Sequence, residues 1–349
     1  MRKMIACVLA VVAIALACFL VWGCGRKKPR LNLFCWCDYI SPELIAEFEK
    51  ENGCEVVVDI FDSNEVLLAK MQAGATGYDL IFPSQYVVDS LVSAGTLQKL
   101  DHSKLTILGN IDRDVLAQLP DGKCEYCVPY MISYTGIGYN KNFLKDGFDP
   151  SWRQFENPAL NRRASLLDDH REVIGAALMT LGYDPNSLDD RELAEAKELV
   201  LKWCGNIIKF DNEVYKNSLA SEEFFIAMGY SGDVVQLMKN SPHVGFFIPK
   251  EGCLANCDVL AMPAGAGNPD LAYKFINFVH KPENAARNME FVYYCSPNSA
   301  AYPLVSEELK SNGAVFVDRE TLKRCKFIID QRENEKKFTD LWEQIKNSK

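Results

Sequence analysis

A two-lobed α/β fold with a cleft between the lobes follows from three features of this chain. Strand and helix signals alternate along it, they do so in two units of similar size, and no flexible linker separates the units. At 349 residues the chain is long enough for two domains. Residues 31–35 (LNLFC) are an apolar run that reads as a first strand, and Ser41-Pro42-Glu43 supplies a helix start with proline in the first turn. Residues 55–61 (EVVVDIF) are rich in β-branched side chains and read as the next strand. Residues 64–72 read as a helix stopped by Gly74, 78–82 (YDLIF) as a strand, and 87–94 as a helix stopped by Gly95. A looser stretch leads through 137–139 into the second unit. There 165–167 is a short strand, 173–181 and 192–203 are helices, and 207–210 and 224–228 are strands. Residues 257–262 (CDVLAM) form a strand before Pro263, and 271–279 and 338–346 are helices. The β-α-β rhythm predicts mostly parallel sheets flanked by helices. No internal repeat or low-complexity segment is present.

The N-terminus is a separate element. Arg2 and Lys3 precede an almost wholly apolar or small stretch over 4–23, and Cys24 follows Val21-Trp22-Gly23. This order resembles a bacterial lipoprotein signal, with 1–23 as leader, Cys24 as the lipidated residue and 24–28 as a basic tether. Cys18, after Ala15-Leu16-Ala17, is a second candidate, and an uncleaved membrane anchor is the alternative. Each reading places the remaining chain outside the cytoplasmic membrane. The net charge is −9, and loss of Arg2 and Lys3 makes it more negative by two. An acidic body of this kind disfavours nucleic acid and suits a cationic ligand.

Thirteen cysteines are present, three of them within the leader region. Their spacings are scattered. Cys124-Glu125-Tyr126-Cys127 is a single CxxC with no second metal-binding pair, and it follows a turn instead of opening a helix. Most of the mature cysteines therefore read as small buried hydrophobes, with disulfides as the alternative in an oxidising compartment.

Several polar or aromatic groups fall at the carboxyl ends of expected strands, where open α/β sheets bind ligands. Trp36-Cys37-Asp38-Tyr39 follows the first strand. An acid between two aromatic rings suits an organic cation, because the ring faces are negative and the carboxylate neutralises charge. The structural alternative is that Trp36 and Tyr39 fill the core and Asp38 is solvated. Ser84-Gln85-Tyr86 and Tyr230-Ser231-Gly232-Asp233 follow later strands. Asp169 and Glu172 stand at one helix mouth, either as a capping pair or as two convergent carboxylates. Asp258 sits inside an apolar strand, where a carboxylate needs a partner: a protein group or a bound cation. GxSxG, HExxH, P-loop and GxGxxG motifs are absent, and the four histidines show no ligand spacing, so no metal or cofactor is expected. The paired carboxylates leave a glycosidase open.

Taken in order, these residues resemble a known family. Trp36 and Tyr39 after the first strand, Ser63-Asn64-Glu65, Tyr78-Asp79-Leu80, Pro83-Ser84-Gln85-Tyr86, Val128-Pro129-Tyr130 with Gly136-Ile137-Gly138, Leu166-Leu167-Asp168-Asp169, Pro249-Lys250-Glu251-Gly252, Asp258 and Pro297-Asn298 carry the resemblance over roughly residues 31–349. The chain is similar to the bacterial periplasmic spermidine/putrescine-binding proteins, the capture components of polyamine ABC importers. The resemblance implies a periplasmic-binding-protein fold that closes on its ligand as a hinge. The lobes would be 29–135 plus 257–301 and 136–256 plus 302–349. It implies an aromatic box of Trp36, Tyr39, Tyr86, Tyr230 and Tyr294, ammonium-binding acids at Asp38, Asp169, Glu172 and Asp258, and a hydrogen-bonding Ser84.

Four positions depart from the family pattern. Cys37 stands where a threonine is common, Tyr230 and Asn256 where tryptophans are common, and Ile328 where a glutamine is common. The box thus has less aromatic surface and one polar wall, which bears on ligand length and affinity. Also implied are a monomeric, non-enzymatic receptor, lipid-anchored at the periplasmic face and partnered by permease subunits. The competing readings are an exported carboxylate hydrolase and a surface lipoprotein that has lost polyamine binding.

Overall fold

The computed structural model describes residues 28–117 and 122–348. The leader and Cys24 lie outside the described residues. Among those described, no helix is long and apolar enough to cross a membrane.

Two small parallel sheets form the centres of the two lobes. In the first, β1 (Arg30–Trp36) lies between β2 (Glu55–Phe61) and β3 (Leu80–Ile81), parallel to both. In the second, after β4 (Cys127–Asn140), β5 (Ala164–Leu166) lies between β6 (Lys209–Phe210) and β7 (Ile226–Tyr230), again parallel. With β8 (Val244–Phe247), β9 (Leu254–Ala261) and β10 (Lys326–Phe327), the strand order is β2-β1-β3-β9-β4-β7-β5-β6, with β8 on β4 and β10 on β9. The two-lobed α/β expectation therefore holds, and parallel pairing holds within each lobe. The junction differs: β4 runs antiparallel to β9 over Cys127–Tyr134 and then to β7 and β8 over Thr135–Asn140. One strand thus crosses from lobe to lobe. Thirteen of its fourteen residues are buried. A strand buried on both faces has no polar–apolar alternation, so only its end at 137–139 was legible in sequence.

The helix His170–Thr180 is buried along its whole length and lies against β9. Gly175 permits the approach: a Cβ there would stand 2.7 Å from Leu254 Cδ2. Such a helix must bury polar groups with partners. Arg171 is fully buried, and its guanidinium donates to Glu335 Oε2 (2.8 Å), Asn186 Oδ1 (2.9 Å) and the Ile329 carbonyl (3.1 Å). The C-terminal helix Glu335–Ser348 is thereby tied to the second lobe.

Gly252 starts the return into β9 at φ +102°, and a Cβ would stand 2.1 Å from the Arg324 carbonyl oxygen. Gly252→Ala is expected to destabilise the protein by about 3 kcal/mol, from overpacking together with an unfavourable backbone conformation. Urea denaturation measures this, and a change below about 0.5 kcal/mol would contradict it.

Eight of the ten described cysteines are buried, in keeping with their reading as small hydrophobes. Cys253 and Cys325 lie beside each other at the starts of β9 and β10, their sulfurs 3.4 Å apart.

Candidate functional site

The cleft between the lobes is assembled mainly from strand ends. At the end of β1 the chain turns through Cys37 and Asp38, with Asp38 at φ 52°. This is a left-handed conformation that Asp tolerates better than most residues. The turn brings Trp36, Cys37 and Tyr39 into the cleft lining and leaves Asp38 exposed, outside that lining. Trp36 packs on Phe61, ring centroids 4.3 Å apart.

Asp258 is the centre of the first-lobe wall. Alternation along β9 puts Asn256 and Asp258 on the same side, opposite Ser133 and Met131 of β4. Asp258 is buried. Its Oδ2 accepts from the Tyr39 hydroxyl (2.5 Å) and its Oδ1 from the Ser84 hydroxyl (2.7 Å). Ser84 is held in turn by Asn64, whose Oδ1 accepts from the Ser84 amide (3.1 Å) and whose Nδ2 also reaches the Tyr86 hydroxyl (2.9 Å). Burial raises the Asp258 pKa to about 6, against the lowering effect of the two hydroxyl donors. No Lys, Arg or His contributes to this balance. The carboxylate is therefore charged at neutral pH, hydrogen-bonded, and without a cation among the described residues.

Tyr294 stands edge-on to Tyr39, centroids 5.5 Å apart, and donates to Asp233 Oδ1 (2.8 Å). Its ring lies over Gly232, where a Cβ would be 2.5 Å from the ring, so glycine is required for this packing. Tyr230 ends β7, Tyr86 follows β3, and both line the cleft.

The two carboxylates at the mouth of the helix His170–Thr180 have different fates. Asp169 lines the cleft and caps the helix, its Oδ1 accepting from the amides of Arg171 (2.9 Å) and Glu172 (3.1 Å). Glu172 is fully buried and is not part of the lining: Asn256 stands in front of it and donates Nδ2 to Glu172 Oε1 (2.7 Å). Its Oε2 has no partner within hydrogen-bond distance, although the nearby Thr135 hydroxyl favours its charged form. Burial, with the Asp169 charge added, pushes the Glu172 pKa up to about 8, so it is largely protonated at neutral pH. The cap is real and is made by Asp169, while the two carboxylates do not converge on the cleft, because only Asp169 faces it.

Ten of the twelve expected residues thus line one cleft, while Asp38 and Glu172 do not. Ile328 is buried in the wall, its carbonyl accepting from Gln85 Nε2 (2.9 Å). The lining also holds residues that sequence reasoning had not selected as ligands, notably Glu213, Lys216 and Asp233. Glu213 follows β6 and Asp233 follows β7, so the strand-end rule pointed to both. Lys216, in the short helix Tyr215–Ala220, had no sequence signal. Outside the lining, Glu65 pairs with His170 (3.7 Å) and Asp89 with Arg332 (3.5 Å).

Comparison with known proteins agrees with this architecture. Residues 43–317 match the family described as bacterial extracellular solute-binding protein. The putrescine-binding periplasmic protein PotF of Escherichia coli is 37% identical over 362 residues, covering 97% of each chain. The spermidine/putrescine-binding periplasmic protein of the same organism is 34% identical, covering 86% of each. Among solved structures, a putative spermidine/putrescine ABC transporter from Listeria monocytogenes superposes with a TM-score of 0.86 at 31% identity, over 92% of this chain and 100% of that one. The Tp0655 lipoprotein of Treponema pallidum gives 0.81 at 33% identity, over 90% and 99%. On match length, identity and shared architecture alike, the chain belongs to the bacterial extracellular solute-binding protein family.

Proposed function

We propose that this protein is the extracytoplasmic receptor of an ABC importer and captures a linear polyamine between its lobes. The observation that carries this reading is Asp258: a buried, charged carboxylate with two hydroxyl donors, no cation among the described residues, and the rings of Tyr39 and Tyr294 nearby. An ammonium group supplies the missing charge, and the rings cover the methylene chain. Burying the four methylenes of putrescine contributes about 3 kcal/mol at about 0.8 kcal/mol each. Charge-assisted hydrogen bonds add about 1.5–3 kcal/mol apiece. A micromolar site needs about 8 kcal/mol net, which these contributions can supply.

In this reading the lobes comprise 29–135 plus 257–301 and 136–256 plus 302–349, and closure presents both to a membrane permease. Cys24 is the lipid attachment site, which keeps a monomeric receptor at the outer face of the cytoplasmic membrane. Asp169 occupied as a helix cap and Glu172 set behind Asn256 argue against a convergent acid–base pair, and so for a receptor over a hydrolase. Isothermal titration of the purified protein with putrescine and spermidine is expected to show micromolar or tighter binding of at least one. Absence of heat for both at millimolar ligand would refute the reading.

A further inference from the structure

The cleft already contains an amine. Lys216 lines it opposite the β1 turn, four-fifths shielded from solvent. Its Nζ lies 3.1 Å from Glu213 Oε2 and 3.6 Å from Asp233 Oδ2. Asp233 is further fixed by the hydroxyls of Tyr294 (2.8 Å) and Tyr215 (3.0 Å), so the ammonium, two carboxylates and an aromatic wall form one built unit. Burial works against the lysine charge, yet Asp233 and Glu213 hold its pKa above the ordinary range.

The charges of the lining therefore divide into two sets. Lys216 offsets one of the two charges of Glu213 and Asp233, and the other is shared with solvent through Glu213, whose side chain is 44% exposed. Asp258 and Asp169 lie within ion-pair distance of no Lys, Arg or His nitrogen among the described residues. Asp62, also on the lining, is exposed, and its charge is solvated. Asp258, buried, and Asp169, half-buried beside His170, are the acids left to face a ligand away from bulk solvent, which is the demand of a dication.

We propose that Lys216 is a tethered ammonium that fills one cation position of the cleft, so that the site accepts a linear diamine and disfavours a triamine. A triamine would have to place its third ammonium between the carboxylates where Lys216 already stands, and like charges would then share a partly desolvated space. The inference rests on the polyamine reading and names the ligand class within it.

The test is calorimetric titration of the purified wild-type protein and of Lys216→Met with putrescine and with spermidine. The wild type is expected to favour putrescine by about tenfold or more, the factor set by about 1.4 kcal/mol. Lys216→Met vacates Asp233 and Glu213 for a third ammonium and should shift the ratio toward spermidine by about tenfold or more. Melting temperatures give a second readout: spermidine should stabilise Lys216→Met more than putrescine does, reversing the wild-type order. A wild type that binds spermidine as tightly as putrescine overturns the proposal without recourse to any variant. Diamine binding with an unaltered ratio in Lys216→Met overturns it while leaving the polyamine reading intact. Binding of neither amine to the wild type overturns both.

Discussion

Asp258→Asn is expected to weaken putrescine binding by about 100-fold or more while the protein stays folded. Removing one partner of a buried ion pair costs about 3–5 kcal/mol, because the other charge is left in a poorly solvated place. Asparagine matches the shape and can still accept from Tyr39 or Ser84, so the loss falls on the ammonium and not on the wall. The same carboxylate sets a pH dependence. Its pKa of about 6 in the ligand-free protein means that binding must release a proton at lower pH. Affinity should be level above about pH 7 and fall by about tenfold per unit well below pH 6.

Stability moves the other way. An acid whose folded pKa is raised binds protons more tightly in the folded state. The ligand-free protein therefore loses stability as pH rises from the unfolded value of about 3.9 to about 6, and the loss then levels off. Asp258→Asn removes that slope, so at pH 7 the unliganded variant should melt no lower than the wild type. Calorimetry and thermal melts check both halves. An affinity within about threefold of wild type would remove Asp258 from the binding site.

Glu172→Gln is expected to change alkaline stability more than binding. With a folded pKa of about 8, Glu172 keeps its proton in the native state across a range in which the unfolded chain has lost it. Wild-type stability should therefore decline by several kcal/mol as pH rises from about 4.5 to about 8, and level off above. Glutamine retains the acceptor that Asn256 uses at Oε1 and cannot ionise. The variant should lose the decline and be the more stable protein at pH 8.5, whatever fixed penalty its amide carries. Urea denaturation at pH 5, 7 and 8.5 measures the slope, and equal slopes for variant and wild type would show that Glu172 is not buried as a neutral acid. Putrescine affinity at pH 7 should stay within about threefold, since Asn256 separates Glu172 from the cleft.

What could be read from the sequence follows from where each signal resides. The helix Asp190–Cys204 and strands β1 and β2 were legible because one face of the helix, and β-branched or apolar runs in the strands, mark local structure. The strand-end rule, with the family resemblance, gathered Trp36, Tyr39, Ser84, Tyr86, Tyr230 and Asp258 into one candidate site, and all six line one cleft. Local pattern failed where burial was complete. The fourteen residues of β4 carry almost no polar face, so the crossover had no periodic signature; the helix expected over 173–181 is present as His170–Thr180, but its polar residues are buried with the rest, so the depth of Glu172 could not be read.

Charge state was beyond sequence altogether. The amino-acid order determined that this chain would build two α/β lobes with aromatic and acidic groups at their strand ends. Only the tertiary structure decided which acids have a cation. Among the described residues, Asp258 meets hydroxyls alone, Glu213 and Asp233 share Lys216, Glu172 sits behind Asn256 with its pKa raised by burial, and Asp38 faces water. The physical reason is that desolvation and Coulomb interactions depend on distance in space, and the residues that fix them here lie far apart in the chain.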